Sequence, residues 1–266
     1  MFDAIDGCST HSIWREYHVA VRSPRMKRTP KSAKASVATP PDSRQRARQP
    51  SRGRGQLRFK ALLDATEALL IEHNPDDIGL YQIARRARIA PASVYHFFPT
   101  KEAALLALAE RYHADMRLMV SAPIPASRLL SWQDLLIIRQ DRAVSYYNSH
   151  LPAAKIFLGI HPSWEIHQAD SRYNQTASET LFGFYDRLFL MPYVQDPHER
   201  FALTYVIADA IRSVSFERYG TITPKYAQEA IGACIAYCRT FLPDRIDPRP
   251  AVLEAAARGE SMVLLQ

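Results

Sequence analysis

Glycine is scarce in this chain, nine among 266 residues, and no glycine cluster precedes a helical pattern. That argues against a nucleotide-binding α/β domain, which cradles phosphates on such a loop. Three cysteines are too few for a disulfide frame, and Cys234 and Cys238, four apart at helical spacing, read as reduced core filling. No uninterrupted apolar run reaches about 18 residues. The first 25 residues are broken by Asp3, Asp6, Arg15 and Glu16, so no signal peptide is expected, and a cytoplasmic location follows. Alternating strand patterns are missing as well, which leaves an all-α expectation. No nucleophile, base and orienting residue can be assembled by spacing, so no catalytic residue, cofactor or enzymatic activity is expected.

What is present is a core-forming composition, 47% hydrophobic, enough for one large or two small domains. The formal charge of +7 is uneven: Arg22 to Arg58 holds twelve Lys/Arg against one acid, Asp42. This stretch is rich in Pro, Ser and Gly and poor in large apolar residues, so residues 1–55 read as a disordered basic arm. Such an arm is either an idle tail or a phosphate-seeking one. Met26, followed by Lys27 and Arg28, offers a second possible translation start.

Order is expected from about Gln56, where Phe59, Leu62, Leu63, Thr66, Leu69 and Leu70 keep one apolar helix face. Two short apolar sets follow, Leu80 to Ala87 and Ile89 to Phe98, split by a turn at Arg88–Ala90. Pro91 suits the first position of the second helix, where its missing N–H costs nothing. Pro99 stops that helix, and Thr100 caps a longer one through Leu105, Leu108, Tyr112 and Met116. Two short helices across a tight turn, flanked by longer ones, make a helix-turn-helix unit over residues 56–120.

The run "IARRARIAPASVYHFFPTKEAAL", Ile83 to Leu105, resembles the TetR family pattern "IAxxAGVSxGTLYxHFxSKExL". Ala84, Ala87, Ile89, Ser93, Val94, Tyr95, Phe98, Lys101, Glu102 and Leu105 match in register. Two residues depart from it: Arg88 replaces the favoured Gly at the turn, and Ala90 replaces the usual Ser cap. The resemblance implies that the helix from Pro91 lies in a DNA major groove, with Pro91, Ala92, Ser93 and His96 facing it. By the same carry-over Tyr95 and Lys101 meet backbone phosphates, while Phe98 and Val94 point inward. Phe97 is left open.

"SAPIPAS", Ser121 to Ser127, marks a boundary, and residues 121–243 read as a second helical domain, followed by a tail, 244–266. Helices are expected from Ser131 through Tyr146, over 153–160 and 164–190, and from Pro197 to Tyr219 and Pro224 to Phe241. The penultimate helix is apolar on two faces, and the last carries a small-residue face. Leu203, Ile207, Ile211 and Val214 with Gly232, Ala233 and Ala236 therefore form the expected homodimer interface, a two-fold four-helix contact. Sixteen of the 27 aromatics fall between 132 and 226. They suggest a ligand site of Tyr146, Phe157, Trp164, Phe182, Tyr185, Tyr205 and Phe216, with Arg212 as a polar contact. The stretch "HPSWEIHQAD", His161 to Asp170, holds metal-capable groups, but Pro162 interrupts their helical spacing and no metal is expected.

These features add up to a dimeric DNA-binding regulator, released from a palindromic operator by a small apolar effector. The alternative is a ligand-independent, nucleoid-type structural protein that relies on the basic arm.

Overall fold

The computed structural model describes residues 46–50, 53–159 and 164–264, with the side chains of Trp164 and Glu165 left out. Residues 1–45 of the arm, Met26 among them, and His161 lie outside the described residues. Among the described residues the regular elements are helices apart from one two-residue antiparallel strand pair and an isolated bridge between Phe189 and Pro248. Its elements are α1 (Gly53–Glu72), α2 (Leu80–Ala87), α3 (Pro91–Phe97), α4 (Lys101–Val120), β1 (Ile124–Pro125), α5 (Trp132–Ser149) and α6 (Leu151–Phe157). They continue as α7 (Trp164–Leu188), α8 (Pro197–Tyr219), α9 (Pro224–Cys238), α10 (Pro250–Ala257) and β2 (Ser261–Met262).

Local chemistry sets most of these ends. Thr100 accepts a hydrogen bond from the Ala103 N–H, 3.2 Å, and starts α4. Ser131 and Asp134 form a reciprocal capping box on α5, with Asp134 Oδ2 accepting from the Ser131 N–H at 2.7 Å. Prolines open α3, α8, α9 and α10, and Gly220 ends α8 at φ 67°, a conformation that needs no Cβ. Helix α1 starts at Gly53, earlier than its apolar face begins. α6 and α9 stop before the expected ends because Leu158 and Arg239 already cap them.

Two apolar cores fill the fold. The first joins α1 to α4, where Leu62, Leu70, Ile83, Val94, Phe98 and Leu108 are fully buried. It extends into α5 and α6 through Tyr147, Ala153 and Ile156. Burying Val94 and Phe98 contributes about 1.5–3 kcal/mol each, which fixes α3 against α1 and α4. The second core packs Trp132 and Leu135 of α5 with Tyr185, Phe201, Cys234 and Val252. Burial pushes the Cys234 and Cys238 thiols up to about 11 and about 12, as inert core groups.

The segment after α9 is more than a tail. Ile124 pairs with Met262 and Pro125 with Ser261, so the linker after α4 is strapped to the segment after α10. Val252, Ala255 and Leu264 are buried in the second core. α10 is only eight residues long and rich in alanine, too short a periodic signal to stand out in the sequence.

Candidate nucleic-acid interface and inner cavity

Helix α3 is held by what it hides. Val94, Phe97 and Phe98 are buried, and Phe59 meets Phe98 at 5.1 Å and Phe97 at 6.0 Å between ring centroids. Phe97, undecided from sequence, thus belongs to the core. Pro91, Ala92, Tyr95 and His96 are left on the outer face, with Ser93 half-buried between them. Tyr95 is 58% exposed, an aromatic ring and hydroxyl standing in solvent.

The turn before α3 holds both departures from the family pattern. Arg88 sits in the left-handed region, φ 55°, and its N–H closes on the carbonyls of Ala84 and Arg85. Ala90 stands at the start of α3 without a side-chain hydrogen bond. Lys101 begins α4, and its Nζ lies 3.4 Å from the Asp76 carbonyl and 3.9 Å from Asp76 Oδ1. That exposed pair is weak enough for a competing anion to take over. Arg85 and Arg88 add cations on the α2 side.

The arm's inner end departs from the expectation of disorder through residue 55. The Arg48 N–H donates to the Phe97 carbonyl at 2.8 Å, and Ala47 rests on the first core. Residues 46–48 are thus tied to the end of α3 by one backbone hydrogen bond, which composition could not reveal.

A cavity of about 50 Å³ lies between α4, α5, α7 and α8. His113, Met116 and Val120 of α4 form one wall, and Arg139, Gln140 and Tyr147 of α5 another. Asp170, Tyr173 and Tyr185 of α7 and Phe201, Tyr205, Asp209 and Arg212 of α8 close it. His113 is stacked between Tyr173 and Phe157, with centroids at 4.1 and 4.6 Å, and its Nε2 is 3.1 Å from Asp170 Oδ1. Arg212 Nη1 donates to Asp209 Oδ1 at 2.9 Å and its Nη2 to Gln140 Oε1. Burial pushes the Asp209 carboxyl up to about 6, against the pull of Arg212 and with the push of Asp170. Burial likewise raises Tyr147 and Tyr185 well above the usual phenol range, so both stay neutral donors.

Of the expected ligand residues, Tyr185, Tyr205 and Arg212 line this cavity. Four others are placed elsewhere, each claimed by another packing partner. Tyr146 stacks on His150 at 4.3 Å, Phe157 lies behind His113, Phe182 packs on Phe201 at 5.9 Å, and Phe216 faces a separate groove with Lys155. The Trp164 side chain lies outside the described residues. The lining is also far more ionic than an aromatic count suggested. His113, Arg139, Asp170 and Asp209 were missed because their partners lie on distant helices, although Asp170 falls in the polar stretch already noted.

The expected dimer residues split by exposure. Leu203, Val214, Gly232 and Ala236 stand on the outer side with Val206 and Ala210, while Ile207, Ile211 and Ala233 differ from them in how far α8 and α9 cover them. Among the described residues no three metal-binding side chains converge, and no helix is long and apolar enough to cross a membrane.

Residues 62–108 match the family model described as "Bacterial regulatory proteins, tetR family". The HTH-type transcriptional regulator EthR of Mycobacterium tuberculosis is 39% identical over 83 residues, 30% of this chain and 38% of that protein. The chain thus matches well under half the length of that curated relative. Among solved structures, a TetR-family transcriptional regulator from Streptomyces coelicolor superposes with a TM-score of 0.54 at 24% identity, covering 70% of this chain and 99% of the other. RolR, solved in complex with resorcinol, superposes at 0.53 with 16% identity, covering 78% and 97%. At these identities the structures establish the shared fold.

Proposed function

We propose that the chain, whose residues 62–108 match the tetR family of bacterial regulatory proteins, is a homodimeric repressor released from a palindromic operator by a small molecule. One observation carries the effector half of the reading. Helix α4 supplies a wall of the inner cavity through His113, Met116 and Val120, and the same helix begins at Lys101 beside α3. Its 20 residues span about 30 Å, so a tilt set at the cavity moves the recognition helix. In a dimer two such helices must fit major grooves about 34 Å apart, and an effector that prefers a different spacing weakens binding by about 1–3 kcal/mol.

In this reading Pro91, Ala92, Ser93 and His96 face base edges, while Tyr95 and Lys101 hold phosphates and fix register. The arm, anchored at Arg48, adds charge without sequence choice. Selection from a pool of random duplexes tests this. A pseudo-palindrome with half-sites one helical turn apart is expected, and substitutions at Ser93 or His96 should change the sequences recovered. Lys101→Ala should weaken every duplex alike and flatten the salt dependence by about 0.9 in log K per log salt for each phosphate it no longer neutralises. Uniform, sequence-blind coverage by the intact protein would instead support a structural DNA-binding role.

A further inference from the structure

Two guanidinium groups on the inner cavity are buried with hydrogen-bond donors to spare. Arg212 is 3% exposed, and beyond its bonds to Asp209 and Gln140 its Nε has no partner. Arg139 is 8% exposed and among the described residues meets only neutral groups: the Val120 carbonyl at 3.3 Å, the Tyr205 hydroxyl at 3.1 Å and the face of Phe184 at 5.4 Å. The two carboxylates of the cavity are already engaged, Asp209 with Arg212 and Asp170 with His113. A buried cation that lacks a counter-charge is costly, and the fold retains one here.

Outward from Arg139 lies a vestibule of about 230 Å³, which shares Val120, Arg139 and Tyr173 with the inner cavity. It adds the exposed Arg117 and Arg172, and no carboxylate lines it. Neither arginine makes an ion pair among the described residues. Three cations of one sign around a concave mouth concentrate anions from solution.

We propose that the effector is a small organic acid, a monocarboxylate drawn in past Arg117 and Arg172 and seated on Arg139 and Arg212. The proposal rests on the reading of the chain as an effector-controlled regulator. Nε and Nη2 of Arg212 form a fork that matches a carboxylate bidentately once Gln140 Oε1 gives way. The inner cavity, about 50 Å³, takes the carboxylate but not a ring, since a benzene-sized guest needs about 150 Å³. The carbon part therefore occupies the vestibule beside Tyr173. Asp170 and Asp209 make a dianion a poor guest, which favours a monocarboxylate over a phosphate. The acid also has a route to α4. Arg139 now donates to Val120 O, a carbonyl in the last turn of that helix, and a carboxylate competes for the same guanidinium.

The test uses the full chain with benzoate and hexanoate, each paired with its neutral amide, benzamide and hexanamide. Binding is read by calorimetry and thermal shift, and release by competition on the duplex selected from the random pool. Both acids are expected to bind and to weaken DNA binding, and the amides at least tenfold less. Arg139→Gln should lower acid affinity on the order of tenfold. Should that variant fold poorly, the surface pair Arg117→Gln with Arg172→Gln should slow benzoate association at low salt and leave the amides untouched. Amides that match the acids, acids that bind nowhere or outside Arg139, or acids that bind without loosening the duplex would each overturn the proposal. Failure to select any DNA sequence would sink the regulator reading separately, with the acid site still judged by its own binding data.

Discussion

Asp209 shows how much of this protein's chemistry is decided one side chain at a time. Its carboxyl is pushed up to about 6 by burial, so between its unfolded value near 4 and that pH the folded state holds a proton that the unfolded state has lost. Folded-state stability from this group is therefore full below about pH 4 and declines as the pH rises through 6, by at most about 3 kcal/mol. Arg212, Asp170 and His113 are the charged or titratable groups that act on it. Asp209→Asn should remove this slope: the unfolding free energy of wild type minus variant, from urea titrations at pH 4 to 8, should fall up to about pH 6.5 and then level off. A flat difference would mean that the carboxyl is better solvated than its surroundings suggest. Arg88 is the other residue that holds an unfavourable state, left-handed at φ 55° without being glycine, at a cost on the order of 1 kcal/mol. The sequence exposed that cost, because the departure from glycine stands in a recognisable motif, whereas nothing local to Asp209 announced its partners.

Helices were legible wherever a single stretch carried its own signal. Thr100, the Ser131 and Asp134 pair and the opening prolines fixed starts, and the apolar spacing of Val94 and Phe98 fixed which side of α3 faces inward. The cavity was legible only in part, since Tyr185, Tyr205 and Arg212 were found while four expected aromatics pack elsewhere. Aromatic content reports burial, but which buried ring borders empty space depends on how α5, α7 and α8 cross, and no single helix encodes that. Helix α4 is held to α1 by a polar clamp of the same distributed kind. Arg111 bonds Asp64 and Glu67, each at 2.7 Å, and the Tyr112 hydroxyl donates to Glu67 at 2.7 Å. Lys155 of α6 donates to the Leu70 and His73 carbonyls, both at 2.9 Å, at the end of α1. Arg111→Ala should cost about 1 kcal/mol, because the pairs are partly exposed, and should blunt the effect of any effector on DNA affinity more than it weakens DNA binding itself. Operator affinities measured with and without effector, in variant and wild type, check this; unchanged coupling would place transmission elsewhere.

At the level of the whole molecule, α8 and α9 leave a strip of Leu203, Val206, Ala210 and Val214 beside Gly232 and Ala236 on their outer side. Small residues there let a second copy approach closely, which completes the four-helix contact proposed for the dimer. Ala236→Glu should convert the protein to monomers by sedimentation and reduce operator affinity by at least tenfold, since each half-site is then bound alone. A variant that remains dimeric would move the interface to another face.

The strap between Ile124–Pro125 and Ser261–Met262 has a consequence for synthesis. Helices α1, α2 and α3 pack largely on one another, so they can begin to pair while the rest of the chain is still being made, whereas α4 also needs α5, α6 and α7. The second core has no such privilege: Ile124 waits for a strand translated after every helix that packs around it. Until that strand arrives the apolar surfaces of the second core stay open, so the helices proposed to read DNA begin to pair before the cavity proposed to govern them is closed.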